Sequence, residues 1–409
     1  MSAQRIFTTG FFSDEGFDFE TRVMLGQATY GGADTGEILA TIALIEDGSE
    51  ASWVAAWCGL GDRLAALAQD SQSRGHRVSA AAAWLRASVA YAATLNALAC
   101  DDTLEGLLPV FRKHRQAWSR CCELQSPPWE PVAIPYEGGS LPGWFVAGGA
   151  AGGGPRPTLI LNNGSDGPIT SMLAFGGAGA LARGYNVLFF DGPGQQSQLF
   201  EQGSFFRHDW EAVITPVVDF LLGRPEVDAG KLALYGVSQA GYWVPRAIAF
   251  EHRLAAAVAD TGVVDVSASW LRHLPPELHT LLEQGDKQRF NAFMAQGGSG
   301  DAQLAGMWNF RSRPYGSSDP YEVFSLMLKY RIDAALAAGI RTPLLITDPE
   351  GEQFWPGQAE RLAALTAGVS TLQRFTAAQG ANFHCEPMAR RLVDQHMFDW
   401  LDDQLGRRA

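Results

Sequence analysis

Apolar residues recur at three- and four-residue spacing through the first third of the chain, from about Glu20 to Leu124. This spacing puts apolar side chains on one face of a helix, so it predicts amphipathic helices separated by Gly, Asp and Ser. Tryptophans follow the same spacing, as core side chains usually do: Trp53, Trp57, Trp84 and Trp118. We therefore expect residues 1–130 to form an N-terminal helical domain.

The pattern then changes to short, nearly continuous apolar runs that alternate with amphipathic stretches. Runs of this kind are typical of strands buried on both faces, and their alternation with helices predicts an α/β fold with a mostly parallel, doubly wound sheet. The predicted strands lie in TLILNNG, YNVLFFDGPG, KLALYGVS, AAAVADTG, TPLLITDPEG and STLQRFTAAQG. We also expect a helix near Ile169–Arg183 and a flexible hairpin loop at AGGAAGGGP.

The alternation is interrupted over residues 264–339, a segment rich in Trp, Phe, Pro and Met. We predict that this insertion covers a pocket as a lid. It divides the α/β core into a first part, residues 131–263, and a second part, residues 340–409.

Charge and composition exclude several partners. The net charge is −13, from 44 acidic and 31 basic residues, and no basic cluster interrupts it, which disfavours nucleic acid and anionic membrane surfaces. No apolar run approaches the ~18 residues of a membrane span, and the first residues lack the apolar core of a secretory signal. The five cysteines are irregularly spaced, which favours a reducing cytoplasm and no metal site.

A candidate nucleophile lies in LALYGVSQAGYW, where a buried strand passes directly into a helix. Ligands bind beyond the carboxyl ends of the strands in such sheets, and the amides at a helix start stabilise an oxyanion. Ser238 is therefore the expected nucleophile. The match to G-x-S-x-G is incomplete, since Ala240 replaces the last Gly and Gly241 follows it.

A serine nucleophile needs a base, and His384 lies where the order Ser, acid, His places it, between the last strand and the last helix. His76 and His114, on the N-terminal helices, are interpreted as surface residues. Cys385 is discounted as a nucleophile because neighbours on an extended chain point in opposite directions.

The acid partner should follow the penultimate strand, and we rank Glu352 slightly above Asp348, with Asp260 third. Any of these carboxylates would orient His384 and stabilise its protonated form. The oxyanion hole is expected from the amide of Gln239 and from the loop 164–167, which contains Ser165 and Asp166. Asp166 either faces the substrate or caps a helix that begins near Pro168.

With its helical N-terminal domain and the motifs GVSQAGY, NNGSDG, FDGPGQ, EQFWPGQ and GANFHCEP, the chain resembles the α/β-hydrolases of the 2,6-dihydroxypseudooxynicotine hydrolase group. FrsA-like esterases and fungal polyketide-shortening hydrolases are in the same group. The resemblance implies an α/β-hydrolase fold, a Ser-acid-His triad, no cofactor and a homodimer. It also implies that Asp166 stands where the nicotine-pathway member carries a glutamate that assists C–C cleavage. Ala240 and Gln196 depart from glycines usual in these relatives.

We therefore predict a cytoplasmic serine hydrolase that cleaves a C–C or ester bond of a small molecule in natural-product biosynthesis or aromatic catabolism. Acyl transfer or cyclisation through the same acyl-enzyme is one alternative. A non-catalytic binding protein that keeps the hydrolase fold is the other.

Overall fold

The computed structural model describes residues 10–149, 154–297 and 302–406. Helices occupy the N-terminal third, as the apolar spacing predicts. The helices Glu50–Ser73 and Arg77–Ala92 pack side by side, and Trp53 and Trp57 are buried in the core that they share with neighbouring helices. The α-helices of this part are Glu15–Gln27, Thr35–Ile42, Glu50–Ser73, Arg77–Ala92, Leu95–Leu98 and Leu107–Glu123.

His114 is buried, so its interpretation as a surface residue is wrong. It lies on the inward face of its helix with Phe111 and Trp118, and its Nδ1 is 2.9 Å from the carbonyl oxygen of Ser88. Burial lowers the pKa of His114 to about 3. The spacing of His114 from Phe111 and Trp118 is the helical signal that places it inside.

An eight-stranded sheet follows, with the strand order β1-β2-β4-β3-β5-β6-β7-β8. β1 and β2 are antiparallel to their neighbours, whereas the pairs from β4 to β8 are parallel. This confirms the predicted α/β-hydrolase type of sheet. The strands are β1 Glu130–Tyr136, β2 Gly139–Val146, β3 Arg156–Asn162, β4 Asn186–Phe190, β5 Val227–Val237, β6 Ala256–Asp260, β7 Leu344–Pro349 and β8 Ser370–Phe375.

Helices cover both faces of the sheet because its central strands are apolar on both sides. The N-terminal helices and the last helix pack on one face, where Leu159, Leu161 and Tyr235 point. On the other face, Ile160 and Leu234 belong to a cluster with side chains of Glu211–Leu222, Ala240–Ile248, Gln358–Leu365 and part of the insertion. The core helices are Ala178–Ala182, Gln196–Phe200, Glu211–Leu222, Ala240–Ile248, Gln358–Leu365 and Arg390–Gln404.

Two local predictions need correction. The helix expected near Ile169–Arg183 is α-helical only over Ala178–Ala182, after a π-helical turn at Leu173–Gly177. Gly176 has a φ of +92°, which ends regular helical geometry there. AGGAAGGGP joins β2 to β3, which are separated in the sheet by β4, so it is not the turn of a hairpin. Its residues 150–153 lie outside the described part of the chain.

The described part of the insertion contains six α-helices joined by short turns, and it packs through a small cluster of its own around Phe290 and Phe324. Its α-helices are Ala268–Leu271, Pro276–Gln284, Lys287–Gly297, Ala302–Ser312, Pro320–Met327 and Ala334–Ala337. Within the described ranges, no helix of the chain combines the length and apolar character that crossing a membrane requires.

Candidate active site

Ser238 lies directly after β5, in the turn that leads into the helix Ala240–Ile248. Its φ of +58° is in the left-handed region, a strained conformation that concentrates at functional sites. The backbone N–H of Ser238 donates to the carbonyl oxygen of Asp260 at 2.6 Å and lies 3.1 Å from Cys385 Sγ. These contacts fix the turn that carries the Ser238 hydroxyl.

The departure from G-x-S-x-G has a structural explanation. A Cβ on Gly236 would lie 2.8 Å from the Cβ of Ala240, so the first glycine leaves room for the methyl group of Ala240. A Cβ on Gly241 would lie 1.7 Å from the carbonyl oxygen of Thr261. The position that cannot carry a side chain is therefore Gly241, and alanine fits at residue 240.

His384 follows β8 and joins the serine to a carboxylate. Its Nε2 is 2.9 Å from Ser238 Oγ, and its Nδ1 is 2.8 and 2.9 Å from the two carboxylate oxygens of Glu352. The ring is buried and packs edge-on against Phe354, with ring centres 4.7 Å apart. Ser238, His384 and Glu352 thus form one continuous line of hydrogen bonds.

Glu352 is held as an anion. Burial alone would raise the pKa of its carboxyl group, but the charge and hydrogen bond of His384 outweigh that effect and lower the pKa. The backbone N–H groups of Phe354 and Trp355 also donate to Glu352 Oε1, at 2.8 and 3.1 Å. A carboxylate with these donors suits the orientation of an imidazole.

The two other candidate acids contact different partners. Asp348, on β7, pairs with Arg374 of β8 at 2.8 Å. Asp260 accepts hydrogen bonds from Tyr235 at 2.6 Å and Thr347 at 2.8 Å. Of the three carboxylates considered from the sequence, Glu352 alone hydrogen-bonds His384 among the described residues.

Cys385 is not extended, since its φ is +56°, so the argument from alternating side chains is wrong for this pair. Its Sγ nevertheless turns away from the His384 ring, toward the carbonyl oxygen of Asp260 at 3.2 Å. Burial raises the pKa of the Cys385 thiol well above its usual range. A buried, protonated thiol is a poor nucleophile, so the geometry favours a packing role for Cys385.

A buried charged cluster supports the serine turn and the His384 loop together. Arg390 donates to the carbonyl oxygen of Cys385 at 2.8 Å and to the hydroxyl of Tyr235 at 2.7 Å, and its Nη1 is 3.3 Å from Asp260 Oδ2. Burial and the nearby Asp260 raise the pKa of Glu386 well above its usual range, and Glu386 Oε2 lies 3.8 Å from Arg390 Nη1. Nothing in the sequence pattern marked Arg390 or Glu386 as part of the site.

The loop after β3 reaches the serine from the other side. A Cβ on Gly164 would lie 2.8 Å from Ser238 Cβ and 3.3 Å from Ser238 Oγ, so a glycine is required there. The side chain of Gln195 donates to the carbonyl oxygens of Asn163 and Gly164 at 2.6 and 2.9 Å. Asn163 in turn donates to the carbonyl oxygens of Gly167 and Pro168. These amides fix a loop that has no regular structure of its own.

The predicted oxyanion-hole residues lie around this point. The backbone N–H of Gln239 starts the helix after Ser238 and has no hydrogen-bond acceptor within the described ranges. Ser165 is half-buried in the loop. The carboxylate of Asp166 pairs with Arg311 of the insertion at 3.3 Å and lines the cavity beside Ser238. In the described part of the chain, no backbone N–H of a helix start donates a hydrogen bond to that carboxylate.

The cavity lies between the N-terminal helices and the carboxyl edge of the sheet. Its apolar wall includes Phe19, Val23, Met24 and Phe175, and Ser238 and His384 border it. Polar side chains also reach it from both sides: Glu20, Gln27, Asn96, Asn163 and Asp166. The helix Glu15–Gln27 of the N-terminal domain therefore supplies a wall of the site.

Comparison with known proteins finds relatives that match almost the whole length of the chain. No protein-family model matches the chain. It is similar to hydrolase LUC6 from Fusarium sp, with 32% identity over 96% of this chain and 97% of the relative. It is also similar to the 20-hydroxy-prefusarin hydrolase FUS2 from Gibberella moniliformis, with 28% identity over 96% of this chain and 97% of that relative.

Among solved structures, the chain resembles 2,6-dihydroxy-pseudo-oxynicotine hydrolase, with a TM-score of 0.68 and 18% identity. That match covers 93% of this chain and 95% of the other. The structure of AbyA5 matches with a TM-score of 0.61 and 16% identity, over 91% and 94% of the two chains. Similarity at this level of identity extends to the fold, including the N-terminal helical part.

Proposed function

This chain belongs to the α/β-hydrolase family that includes hydrolase LUC6, and we propose that it is a serine hydrolase with Ser238 as nucleophile, His384 as base and Glu352 as orienting acid. The proposed substrate is a small molecule in which the reacting carbonyl is a ketone or an ester. Cleavage of a C–C bond beside a ketone is the reaction we favour.

The observation that supports this proposal most strongly is the continuous line of hydrogen bonds. The distance from Ser238 Oγ to His384 Nε2, 2.9 Å, is short enough for proton transfer, and the 2.8 Å from His384 Nδ1 to the Glu352 carboxylate is a hydrogen bond that orients the ring. Burial of both His384 and Glu352 keeps the pair out of water. A base oriented in this way activates an otherwise weak serine nucleophile.

In the first half-reaction, His384 Nε2 takes the Ser238 proton as Oγ attacks the substrate carbonyl carbon. The carbonyl oxygen becomes an oxyanion, which the free amide of Gln239 and the amides of the Ser165–Asp166 loop stabilise in this proposal. Glu352 stabilises the protonated imidazole. The tetrahedral intermediate then collapses and breaks the bond to the leaving group.

The leaving group departs as an enolate carbon or an alkoxide oxygen and takes the proton from His384. An acyl group stays on Ser238 Oγ. In the second half-reaction, water gives a proton to His384 and attacks the acyl carbon, which releases a carboxylic acid and restores the Ser238 hydroxyl.

The cavity supports a substrate with a largely apolar body, because aromatic and aliphatic side chains form much of its wall. The same proposal assigns a role to each of the three parts of the chain. The α/β core, residues 131–263 and 340–409, carries the reacting groups, while the helical domain, residues 1–130, and the insertion, residues 264–339, enclose the substrate. The contacts of Glu20 and Arg311 with this region support that division.

Hydrolysis is preferred to acyl transfer or cyclisation because the relatives are named hydrolases, although the same acyl-enzyme would serve all three. The non-catalytic alternative is disfavoured by the intact line from Ser238 to Glu352. The homodimer and the cytoplasmic location stay predictions.

Intact-protein mass spectrometry tests the proposal. The protein is incubated with diisopropyl fluorophosphate and, separately, with aryl β-diketones, aryl ketones and simple esters. We expect a diisopropylphosphoryl or acyl adduct on the wild type that Ser238→Ala abolishes, and a strongly reduced labelling rate for His384→Ala.

The exposed serine variant Ser73→Ala is the matched control and should label like the wild type. The mass of an acyl adduct would identify which side of the cleaved bond is retained. Persistent labelling of Ser238→Ala, or no labelling of the wild type by the fluorophosphate, would contradict the proposed nucleophile.

A further inference from the structure

Glu20 is a carboxyl group in a mostly apolar wall of the Ser238 cavity. It lies on the helix Glu15–Gln27, whose side chains Phe19, Val23 and Met24 border the same space. Its Oε1 accepts a hydrogen bond from Asn96 Nδ2 at 3.1 Å. No basic side chain forms an ion pair with Glu20 within the described ranges, so neither its burial nor its charge is offset by a direct partner of opposite sign.

The groups that face Glu20 across the cavity make its ionised form unfavourable. Asp166, on the loop after β3, is also acidic, and Arg311 is paired with Asp166 rather than with Glu20. Burial, followed by the charge of Asp166, raises the pKa of Glu20 to about 7, against the opposing effects of Asn96 and Arg311. At neutral pH, a large fraction of Glu20 therefore carries a proton.

A protonated carboxyl group offers an O–H donor, whereas an ionised one only accepts hydrogen bonds. A donor in an apolar wall is satisfied by a neutral oxygen acceptor on the ligand, and leaving such a group unpaired on binding is costly. The acidic surroundings disfavour an anionic ligand. A ketone oxygen fits these conditions and is the group that the proposed reaction requires on its substrate.

We propose that Glu20 is a substrate-positioning residue that donates a hydrogen bond from its carboxyl group to a neutral carbonyl oxygen of the substrate. This inference rests on the proposed function, since it concerns the substrate of the same cavity. It gives the N-terminal helical domain a direct part in substrate recognition, beyond covering the site.

The test uses protection of Ser238 from diisopropyl fluorophosphate by acetophenone between pH 6 and 8.5, followed by intact-protein mass spectrometry. Ethylbenzene, which has the same ring but no oxygen, is the control ligand. The protonated fraction of a group with a pKa of about 7 falls about 30-fold between pH 6 and pH 8.5. If only protonated Glu20 binds the ketone, acetophenone should therefore protect the wild type up to about 30-fold more weakly at pH 8.5 than at pH 6.

The variants separate positioning from folding. Glu20→Gln keeps an N–H donor that does not titrate, so its protection should be independent of pH and within about threefold of the wild type at pH 6. Glu20→Ala should protect at least about tenfold more weakly at pH 6. Glu15→Gln, an exposed change on the same helix, should behave as the wild type. Melting temperatures identify any variant that fails to fold, in which case Glu20→Gln carries the test.

Three results would overturn the proposal: equal protection by ethylbenzene, the same pH dependence in Glu20→Gln as in the wild type, or stronger protection by the cationic 1-phenylethylamine. Failure of acetophenone to protect a Ser238 that is labelled would also overturn it. Loss of labelling itself would instead contradict the proposed function, so the two failures are distinguishable.

Discussion

Glu352→Gln, compared with Asp348→Asn, tests which carboxylate supports His384. Both oxygens of Glu352 lie within 2.9 Å of His384 Nδ1. A glutamine of the same shape presents an NH₂ group as well as an oxygen. To avoid two donors facing each other, the imidazole can move its proton to Nε2, and it then has no lone pair to accept the Ser238 proton.

The expected magnitude follows from that tautomer. An acid-to-amide change in a serine triad lowers kcat by about 10⁴-fold, or about 5.4 kcal/mol in activation free energy. We expect Glu352→Gln to lose about 10³- to 10⁴-fold. Asp348→Asn removes an ion pair with Arg374, whose side chain is 59% exposed, so stability should fall by only about 0–1 kcal/mol and turnover should stay near the wild-type value.

The assay is hydrolysis of 4-nitrophenyl acetate together with the rate of Ser238 labelling by diisopropyl fluorophosphate. Circular dichroism establishes that both variants are folded. A near-normal Glu352→Gln beside a strongly impaired Asp348→Asn would refute the assignment, because it would mean that His384 turns to Asp348 during turnover.

Three further substitutions test other parts of the site and core. Gly164→Ala brings a methyl group to 2.8 Å from Ser238 Cβ and should slow labelling of Ser238 by at least about 100-fold. Gly368→Ala is the control, because a Cβ at residue 368 meets no atom within 4 Å. Similar labelling rates for the two variants would contradict the crowding of Ser238 by residue 164. Arg390→Met leaves Asp260 buried without its cation, so the free energy of unfolding measured by urea denaturation should fall by about 3–5 kcal/mol. A fall below about 1 kcal/mol would contradict the stabilising role of the ion pair. The pKa of His114 is about 3 in the folded protein and 6.5 for an ordinary histidine, as in the unfolded chain. The unfolded chain therefore binds the proton first as the pH falls. Between these two values the free energy of unfolding drops by up to about 1.4 kcal/mol for each pH unit. Urea denaturation from pH 4 to 7 should show a shallower slope for His114→Gln, and an unchanged slope would mean that His114 is not the titrating group.

The strand pattern predicts the positions of Ser238 and His384 because the carboxyl ends of parallel strands meet at one edge of a sheet. A residue that directly follows β5 and one that follows β8 are therefore brought to the same edge whatever the helices between them do. The choice between Glu352 and Asp348 is different, because they are four residues apart. It depends on the pairing of Asp348 with Arg374 across β7 and β8, which is a matter of strand register and cannot be deduced from one strand.

The place of Glu20 in the cavity cannot be predicted from the strand pattern. Its helix is joined to the sheet through more than a hundred residues, and its place in the cavity depends on how the N-terminal helices pack against the loop after β3. Helix periodicity indicates which face of a helix is apolar, but not which part of another domain that face meets. From the sequence alone, a carboxyl group at the edge of the apolar face, such as that of Glu20, could face either solvent or a binding cavity.

The buried cluster around Arg390 connects the two loops whose relative position decides whether Ser238 and His384 can react. Nη1 of Arg390 donates to the carbonyl oxygen of Cys385, next to His384, and also to the carboxylate of Asp260, whose backbone oxygen accepts the N–H of Ser238. A shift of either loop would therefore break contacts to a fully buried charge, which costs several kcal/mol. A buried ion pair adds little to the net stability of a fold, but its geometry is held tightly because any displacement leaves a buried charge without a partner. The 2.9 Å separation of Ser238 Oγ and His384 Nε2 is the distance that this cluster holds.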